Sequence, residues 1–401
     1  MIDAIKKNNI FIYNSLVIIY CLPRTLYFYF SLLFLSLFKI NNKKIVFVSF
    51  NGKGYWDNGK YICNELLWSD YDIYWASKEE YKDSLPKNVK YVKYNSIEYL
   101  YHLATAKIWV NNSRFWWWIR KRKDQFYIQT WHGCIGFKKS EADSKNALSS
   151  YYILSAKNDS KMADLFISNS TFCTNYYKNY YWYDGEILEH GCPRNDIIVN
   201  DSRDVIKKVR DYFWFSTLDK ICLYAPTFRE NNSLDTYDID FETLVNELKN
   251  KFKCNWKLLV RLHPNISNLS NQLLGLNKNI INATDYPDMQ ELLVATDFLI
   301  TDYSSCVFDY AISKKPAIIY ASDIEEYKKD RDFAIKFEDW PFPIATNNKE
   351  LNTIIENYDA NKFERKINKF YEEKWLNETG KSCYDIAKII NNLILGRKVK
   401  L

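Results

Sequence analysis

Cys-x-x-Cys motifs, hydrolase signatures and nucleotide-loop fingerprints are all missing from this chain of 401 residues. Its nine cysteines are odd in number and scattered, without one Cys-x-x-Cys. That argues against a disulfide framework or a zinc cluster and leaves buried, reduced thiols as the expectation. No Gly-x-Ser-x-Gly or His-Glu-x-x-His occurs, so α/β-hydrolase and zinc-protease chemistry lose their usual marks. No run of Lys and Arg alternates with aromatics, and the formal charge of +6 is mild. Nucleic acid is therefore not an expected partner. Histidine is scarce too, only four in all, and where they stand is informative.

Three of them occupy short polar motifs at the ends of apolar runs. These are Gln129-Thr130-Trp131-His132-Gly133, His190-Gly191-Cys192-Pro193-Arg194-Asn195-Asp196 and Arg261-Leu262-His263-Pro264. A core histidine usually sits inside a hydrophobic period. Here Gly or Pro follows each one, with Lys or Arg close by, as at the open end of a parallel α/β sheet that handles phosphate and protons.

The length suggests two domains, each able to bury a core. Residues 10–40 are almost free of charge, broken by Pro23-Arg24 and closed by Lys39, Lys43 and Lys44. Each half falls short of the ~20 apolar residues that a spanning helix needs, and Pro23 is expected to kink or split the segment. A kinked span, an in-plane hairpin and two buried soluble helices all fit. The run Leu26–Leu35 is apolar on every face, which favours attachment at the membrane interface with the lysines at headgroup level. No signal-peptide cleavage site follows.

After Lys44, strands and helices alternate: Ile45–Phe50, Tyr71–Ala76, Val89–Val92, Ile108–Val110, Phe126–Gln129, Leu165–Ser168 and Ile187–Glu189 read as strands. A charged helical stretch over residues 200–219 reads as a linker. A second series follows with Ile221–Tyr224, Lys257–Val260, Phe298–Ile300 and Ala317–Tyr320. The expected fold class is α/β, with two Rossmann-like doubly wound domains facing a cleft in a GT-B-like arrangement. The expected division is a membrane-associating segment at 1–44, a first domain at 45–200, a second at 201–358, and C-terminal helices at 359–401 that cross back.

Thr301-Asp302-Tyr303-Ser304-Ser305 joins a strand to a helix, so its serines fall where unpaired amides favour phosphate. Asp309, one turn on, is within expected reach of a ribose hydroxyl. Alone, this motif is as readily an ordinary helix cap. Arg229, Arg261 and His263 in the same half turn the balance toward a pyrophosphate site, because arginine forks match phosphate oxygens. Across the cleft, His132 is suited to act as general base, with Trp131, Gly133 and Lys138 beside it. Asn51, Gly52 and Lys53 form a phosphate-cradling type of turn without P-loop spacing. The strings Asp70–Asp72 and Asp238–Asp240 lie apart from these motifs. Neither a metal site nor a cofactor is expected.

Taken together, the blocks resemble the CDP-glycerol glycerophosphotransferase family of teichoic acid and capsule synthesis. They are Ser49–Lys53 with Asp57-Asn58 and Lys60-Tyr61-Ile62, Gln129–Gly133 with Lys138, Gly191–Asp196, Tyr224–Arg229, Arg261–Pro264, and Thr301–Ser305 with Phe308-Asp309. They keep the family's order over roughly 45–330, although Gly59 stands where such sequences often have proline. The resemblance implies transfer of glycerol phosphate or a related polyol phosphate from a CDP-polyol to a lipid-linked glycan, with release of CMP, on the cytoplasmic face of the membrane. It casts His132 as the base, and Arg194, Arg229, His263, Ser304 and Ser305 as holding the donor pyrophosphate. A glycosyltransferase using a CMP- or UDP-sugar is the alternative within the same architecture, and a catalytically inert scaffold is the alternative outside it.

Overall fold

The computed structural model describes residues 10–133, 135, 138–227, 229, 238–262, 280–330 and 333–398. Two parallel sheets organise them. The first contains β1 (Asn41–Val48), β2 (Asp72–Ser77), β3 (Lys90–Lys93), β4 (Ala106–Asn111), β5 (Phe126–Gln129), β6 (Leu165–Ser168) and β7 (Glu186–Glu189). Their order is β3-β2-β1-β4-β5-β6-β7. The second contains β8 (Lys220–Ala225), β9 (Trp256–Val260), β10 (Ile280–Asn282), β11 (Phe298–Thr301), β12 (Ala317–Tyr320) and β13 (Ile344–Ala345), in the order β10-β9-β8-β11-β12-β13. We call each sheet with its helices a lobe.

Unbroken apolar strands suit a sheet covered on both faces, and alternate residues of β1 show it. Ile45 and Phe47 pack with Ile62 and Leu66 of the helix Asp57–Leu66. Val46 and Val48 pack on the other side with Leu100 and Leu103 of the helix Ile97–Thr105. In the second lobe, Cys222 and Tyr224 meet Leu244 and Leu248, whereas Leu223 meets Leu292 and Val307.

Strand order reverses between β1 and β4 in one sheet and between β8 and β11 in the other. In open α/β sheets the crevice beyond the carboxyl ends at such a reversal is where ligands bind. The loops carrying Ser49–Gly54, Asn112, Thr227 and Ser304 all leave from those ends.

Four expectations need correction. Residues Ile10–Leu35 form one helix that runs through Pro23 rather than splitting there. Phe28 and Leu32 of that helix are buried against the first lobe, with Phe28 stacked on Trp118 at 5.8 Å between centroids. Its other side leaves Tyr27, Phe30 and Phe34 about 60% exposed, and no helix among the described residues is long and apolar enough to cross a membrane. The charged stretch before β8 is the helix Arg203–Tyr212, whose Val209 is buried in the second-lobe core, so it is a packed element rather than a bare linker. β10 and β13 were not anticipated; at three and two residues they are too short to carry a periodic signal. Finally, Cys192 is disulfide-bonded, against the expectation of reduced thiols throughout. Pairing depends on proximity in the fold, which spacing along the chain does not reveal.

The C-terminal helix Ser382–Ile394 packs on the helix Asp57–Leu66 and puts Ile386, Ile389 and Ile390 into the first-lobe core.

Candidate active site

A cavity of about 470 Å³ is lined from both lobes, by Trp131, His132 and Lys138 on one side and Thr227, Ser304 and Ser305 on the other. Gly133 also lines it. The structure thus brings together residues more than 160 positions apart in sequence, the span from Lys138 to Ser304.

His132 follows β5 in a tightly specified loop. Gln129 Oε1 accepts from the Trp131 amide at 2.9 Å, and Asn58 Nδ2 donates to the Trp131 carbonyl at 3.0 Å. These bonds hold Trp131 at φ +51, in the left-handed region that a bulky residue seldom adopts. The imidazole is stacked on the Trp131 ring, with centroids 4.4 Å apart, and Phe50 lies 5.3 Å away. Its Nδ1 is 2.6 Å from the Asn112 carbonyl oxygen. A carbonyl only accepts, so Nδ1 carries the proton and Nε2 keeps a lone pair. Burial pushes the imidazole below its ordinary pKa, outweighing the opposing pull of the Asn112 carbonyl and Asp57. The ring is therefore neutral near pH 7, as a general base must be.

On the facing lobe, Asp302 is committed internally. Its carboxylate accepts from the Thr227 amide and hydroxyl at 2.9 and 3.0 Å and from the Tyr303 amide at 2.6 Å. Thr301 donates its hydroxyl to the Ala225 carbonyl at 2.6 Å. Together these tie the ends of β8 and β11 and present Thr227, Ser304 and Ser305 to the cavity. Ser305 is the N-cap residue of the short helix Cys306–Ala311.

Several anticipated ligand contacts lie elsewhere. Arg194 is 5% exposed and bound by Asp57 at 2.7 Å and Asp309 at 3.0 Å, so its guanidinium does not line the cavity. Asp309 is 3% exposed and also accepts from Asn195 and Gln290, which places it between the lobes rather than at a ribose. Arg229 pairs with Asp302 and Asp323 at 2.9 and 2.6 Å, and its guanidinium lies over the rings of Tyr303 and Tyr327. The physical reason is common to all three: a charge this far from water needs a counter-charge from the protein itself. Arg261 donates to the Tyr286 carbonyl at 2.8 Å and is likewise off the cavity lining. Asn51, Gly52 and Lys53 form the turn after β1, with Gly52 at φ +85 against Tyr94, and do not line the cavity either. His263 lies outside the described residues. No group of three or more His, Cys, Asp or Glu among the described residues is arranged to hold a metal ion.

Sequence reasoning overlooked the aromatic wall of the cavity, made by Tyr176, Tyr177, Tyr181 and Phe172. These come from the helix Thr171–Tyr180 and its C-cap. Their spacing at i, i+4 and i+5 was the available signal, but ordinary core packing gives the same pattern.

A family model described as CDP-Glycerol:Poly(glycerophosphate) glycerophosphotransferase matches residues 28–392. The teichoic acid poly(glycerol phosphate) polymerase of Staphylococcus epidermidis is 33% identical over 369 residues, covering 88% of this chain and 51% of that protein. The chain thus spans about half the length of that relative. It spans 95% of the teichoic acid glycerol-phosphate transferase of Staphylococcus aureus, at 28% identity over 89% of this chain. Among solved structures, the wall teichoic acid polymerase TagF superposes with a TM-score of 0.79 at 31% identity, covering 91% of this chain and 93% of that one. With a match across nearly its whole length, this chain belongs to the CDP-glycerol:poly(glycerophosphate) glycerophosphotransferase family.

Proposed function

We propose that this protein transfers glycerol phosphate, or a related polyol phosphate, from a CDP-polyol to a hydroxyl of a membrane-linked glycan or growing polyol-phosphate polymer. The observation that carries this reading is the single cavity lined by His132 from one lobe and by Ser304 and Ser305 from the other. The names of the relatives support it, as does a histidine-to-asparagine variant of TagF solved after soaking with CDPG.

In this reading His132 Nε2 takes the proton of the acceptor hydroxyl. The acceptor oxygen bonds to the polyol-bearing phosphorus, and the bond from that phosphorus to the CMP oxygen breaks. The products are a phosphodiester and CMP, and the proton rests on His132. Charge that builds on the phosphoryl oxygens meets the Ser304 and Ser305 hydroxyls, the nearby amides and the Lys138 ammonium. The arginines act one layer back: Arg229 braces Asp302 and Arg194 ties the lobes. The reading needs no cofactor.

The residue boundaries 45–200 and 201–358 for the two domains, with a crossing-back segment after 359, belong to this proposal. So does peripheral or monotopic attachment on the cytoplasmic face of the membrane. That attachment is supported by the row Tyr27, Phe30 and Phe34, exposed along one helix side, with exposed Leu37 and then Lys39 just beyond the helix end.

A phosphorus-31 NMR time course with CDP-glycerol and a lipid-linked acceptor extract tests the reaction. A new phosphodiester resonance with stoichiometric CMP is expected. Transfer of a sugar from a CMP- or UDP-sugar without phosphate transfer would replace this reading with a glycosyltransferase.

A further inference from the structure

Asp57 is an acidic group near the base that does not itself line the cavity. It sits at the start of the helix Asp57–Leu66 with φ +61, a conformation that Asp and Asn tolerate better than most residues. That helix start has no side-chain cap, so the carboxylate is not spent on its amides. Instead Oδ2 accepts from Asn112 Nδ2 at 2.6 Å and Oδ1 from Arg194 Nη1 at 2.7 Å.

Asn112, just beyond β4 and 1% exposed, uses its whole carboxamide. Nδ2 donates to Asp57 and to Ser49 Oγ at 3.2 Å. Oδ1 accepts from the Phe50 amide at 2.8 Å and from Ser113 Oγ at 3.2 Å. The main-chain carbonyl of the same residue holds His132 Nδ1. Arg194, on the far side of Asp57, also donates to the His132 carbonyl at 2.8 Å. The carboxylate is therefore linked to His132 twice, through Asn112 to its ring and through Arg194 to its main-chain carbonyl.

We propose that Asp57, acting through Asn112, is a positioning residue for His132. It holds the Nδ1–H tautomer in place, and its negative charge keeps Nε2 basic enough to take a proton. This rests on the reading of His132 as general base. The geometry is that of base and orienter in other proton-transferring sites, except that a carboxamide and a main-chain carbonyl stand between carboxylate and imidazole.

The charged groups facing His132 are Asp57, Arg194 from the turn after β7, and Glu141 at the start of the 3-10 helix Glu141–Ala147, with Lys138 lining the same cavity. Asp57 and Glu141 favour the imidazolium; burial and Arg194 oppose it. Removing the Asp57 charge lowers the basicity of the ring, so the base stays deprotonated to lower pH and becomes weaker.

The test compares wild type, Asp57→Asn, Asp57→Glu and His132→Ala. Asparagine fits the backbone at position 57 and keeps the side-chain shape. For Asp57→Asn the acid limb of kcat/KM should move to lower pH and kcat should fall about tenfold, short of the ~10²–10⁴ expected on losing the base itself. Asp57→Glu, which keeps the charge, should return the limb toward its wild-type position. A purely structural role would lower kcat or the melting temperature and leave the limb in place; that result in folded Asp57→Asn overturns the proposal. Nitrogen-15 NMR of histidine-labelled wild type, with signals assigned by their loss in His132→Ala, supplies a check that needs no Asp57 variant. The neutral ring should show the Nδ1–H tautomer, and an Nε2–H tautomer overturns the proposal. Wild-type activity in His132→Ala would instead defeat the base reading, an outcome distinct from either.

Discussion

Arg194 Nε lies 3.0 Å from Asp309 Oδ2, and this contact joins the two lobes beneath the cavity. The arginine comes from the turn after β7, and the aspartate from the helix that begins beside Ser304 and Ser305. One guanidinium thus serves Asp57, Asp309 and the His132 carbonyl at once. A planar fork spreads these bonds over separate nitrogens in fixed directions, whereas an ammonium must make them all from one point.

Arg194→Ala leaves two buried carboxylates without their cation. Breaking such a pair typically costs ~3–5 kcal/mol. Urea unfolding should show a loss of that order, and Arg194→Lys should recover little of it. A variant as stable as wild type would mean that the lobes are held by other contacts.

Ser304 and Ser305 offer hydroxyls to the cavity, and each is partly exposed there. Replacing either by alanine removes a hydrogen bond worth ~0.5–1.5 kcal/mol, roughly two- to tenfold in the KM for donor. Steady-state kinetics at fixed acceptor should show the rise in KM with little change in melting temperature. Unchanged donor KM in both variants would move the donor away from this wall.

Glu378 is a pH-sensitive point of the scaffold. Its carboxyl is buried, and Asn195 Nδ2 is shared between it at 2.8 Å and Asp309 at 3.1 Å. Burial pushes its pKa up to about 8, with Asp309 adding repulsion against three donated hydrogen bonds. A carboxyl with a raised folded-state pKa binds its proton more tightly folded than unfolded. Stability should therefore fall as pH rises from the ordinary carboxyl range, near 4.5, through about 8. Melting temperatures taken across that window should decline for wild type and be flatter for Glu378→Gln. A wild-type profile that falls no more steeply than that of Glu378→Gln would reverse the assignment.

The aromatic row on the N-terminal helix gives a prediction separable from chemistry. Phe30→Asp with Phe34→Asp should abolish sedimentation with anionic vesicles, since each ring contributes ~1.5–3 kcal/mol when it leaves water. Turnover on a water-soluble acceptor should stay close to wild type. Retained vesicle binding would mean that attachment uses another face.

Much of the architecture could be read from the chain because parallel strands buried on both sides announce themselves as short apolar runs. Phe126–Gln129, Leu165–Ser168 and Ala317–Tyr320 coincide residue for residue with β5, β6 and β12. The site was less legible. His132, Gly133, Lys138, Ser304 and Ser305 line the cavity. Arg194, Arg229, Asp302 and Asp309 do not, because a conspicuous charge in a motif says nothing about which partner neutralises it. Asp57 stood in a block of the resemblance but was given no role, and Asn112 carried no signal of its own. Their importance lies in bonds between residues 55 positions apart.

The helix Ser382–Ile394 has a bearing on how this molecule is made. Ile386, Ile389 and Ile390 fill the same apolar cluster as Ile62 and Leu66, more than three hundred residues earlier. During translation that groove of the first lobe therefore stays uncovered until residues beyond 382 have emerged. Nascent chains of this protein should be long-lived clients of chaperones that shield apolar grooves.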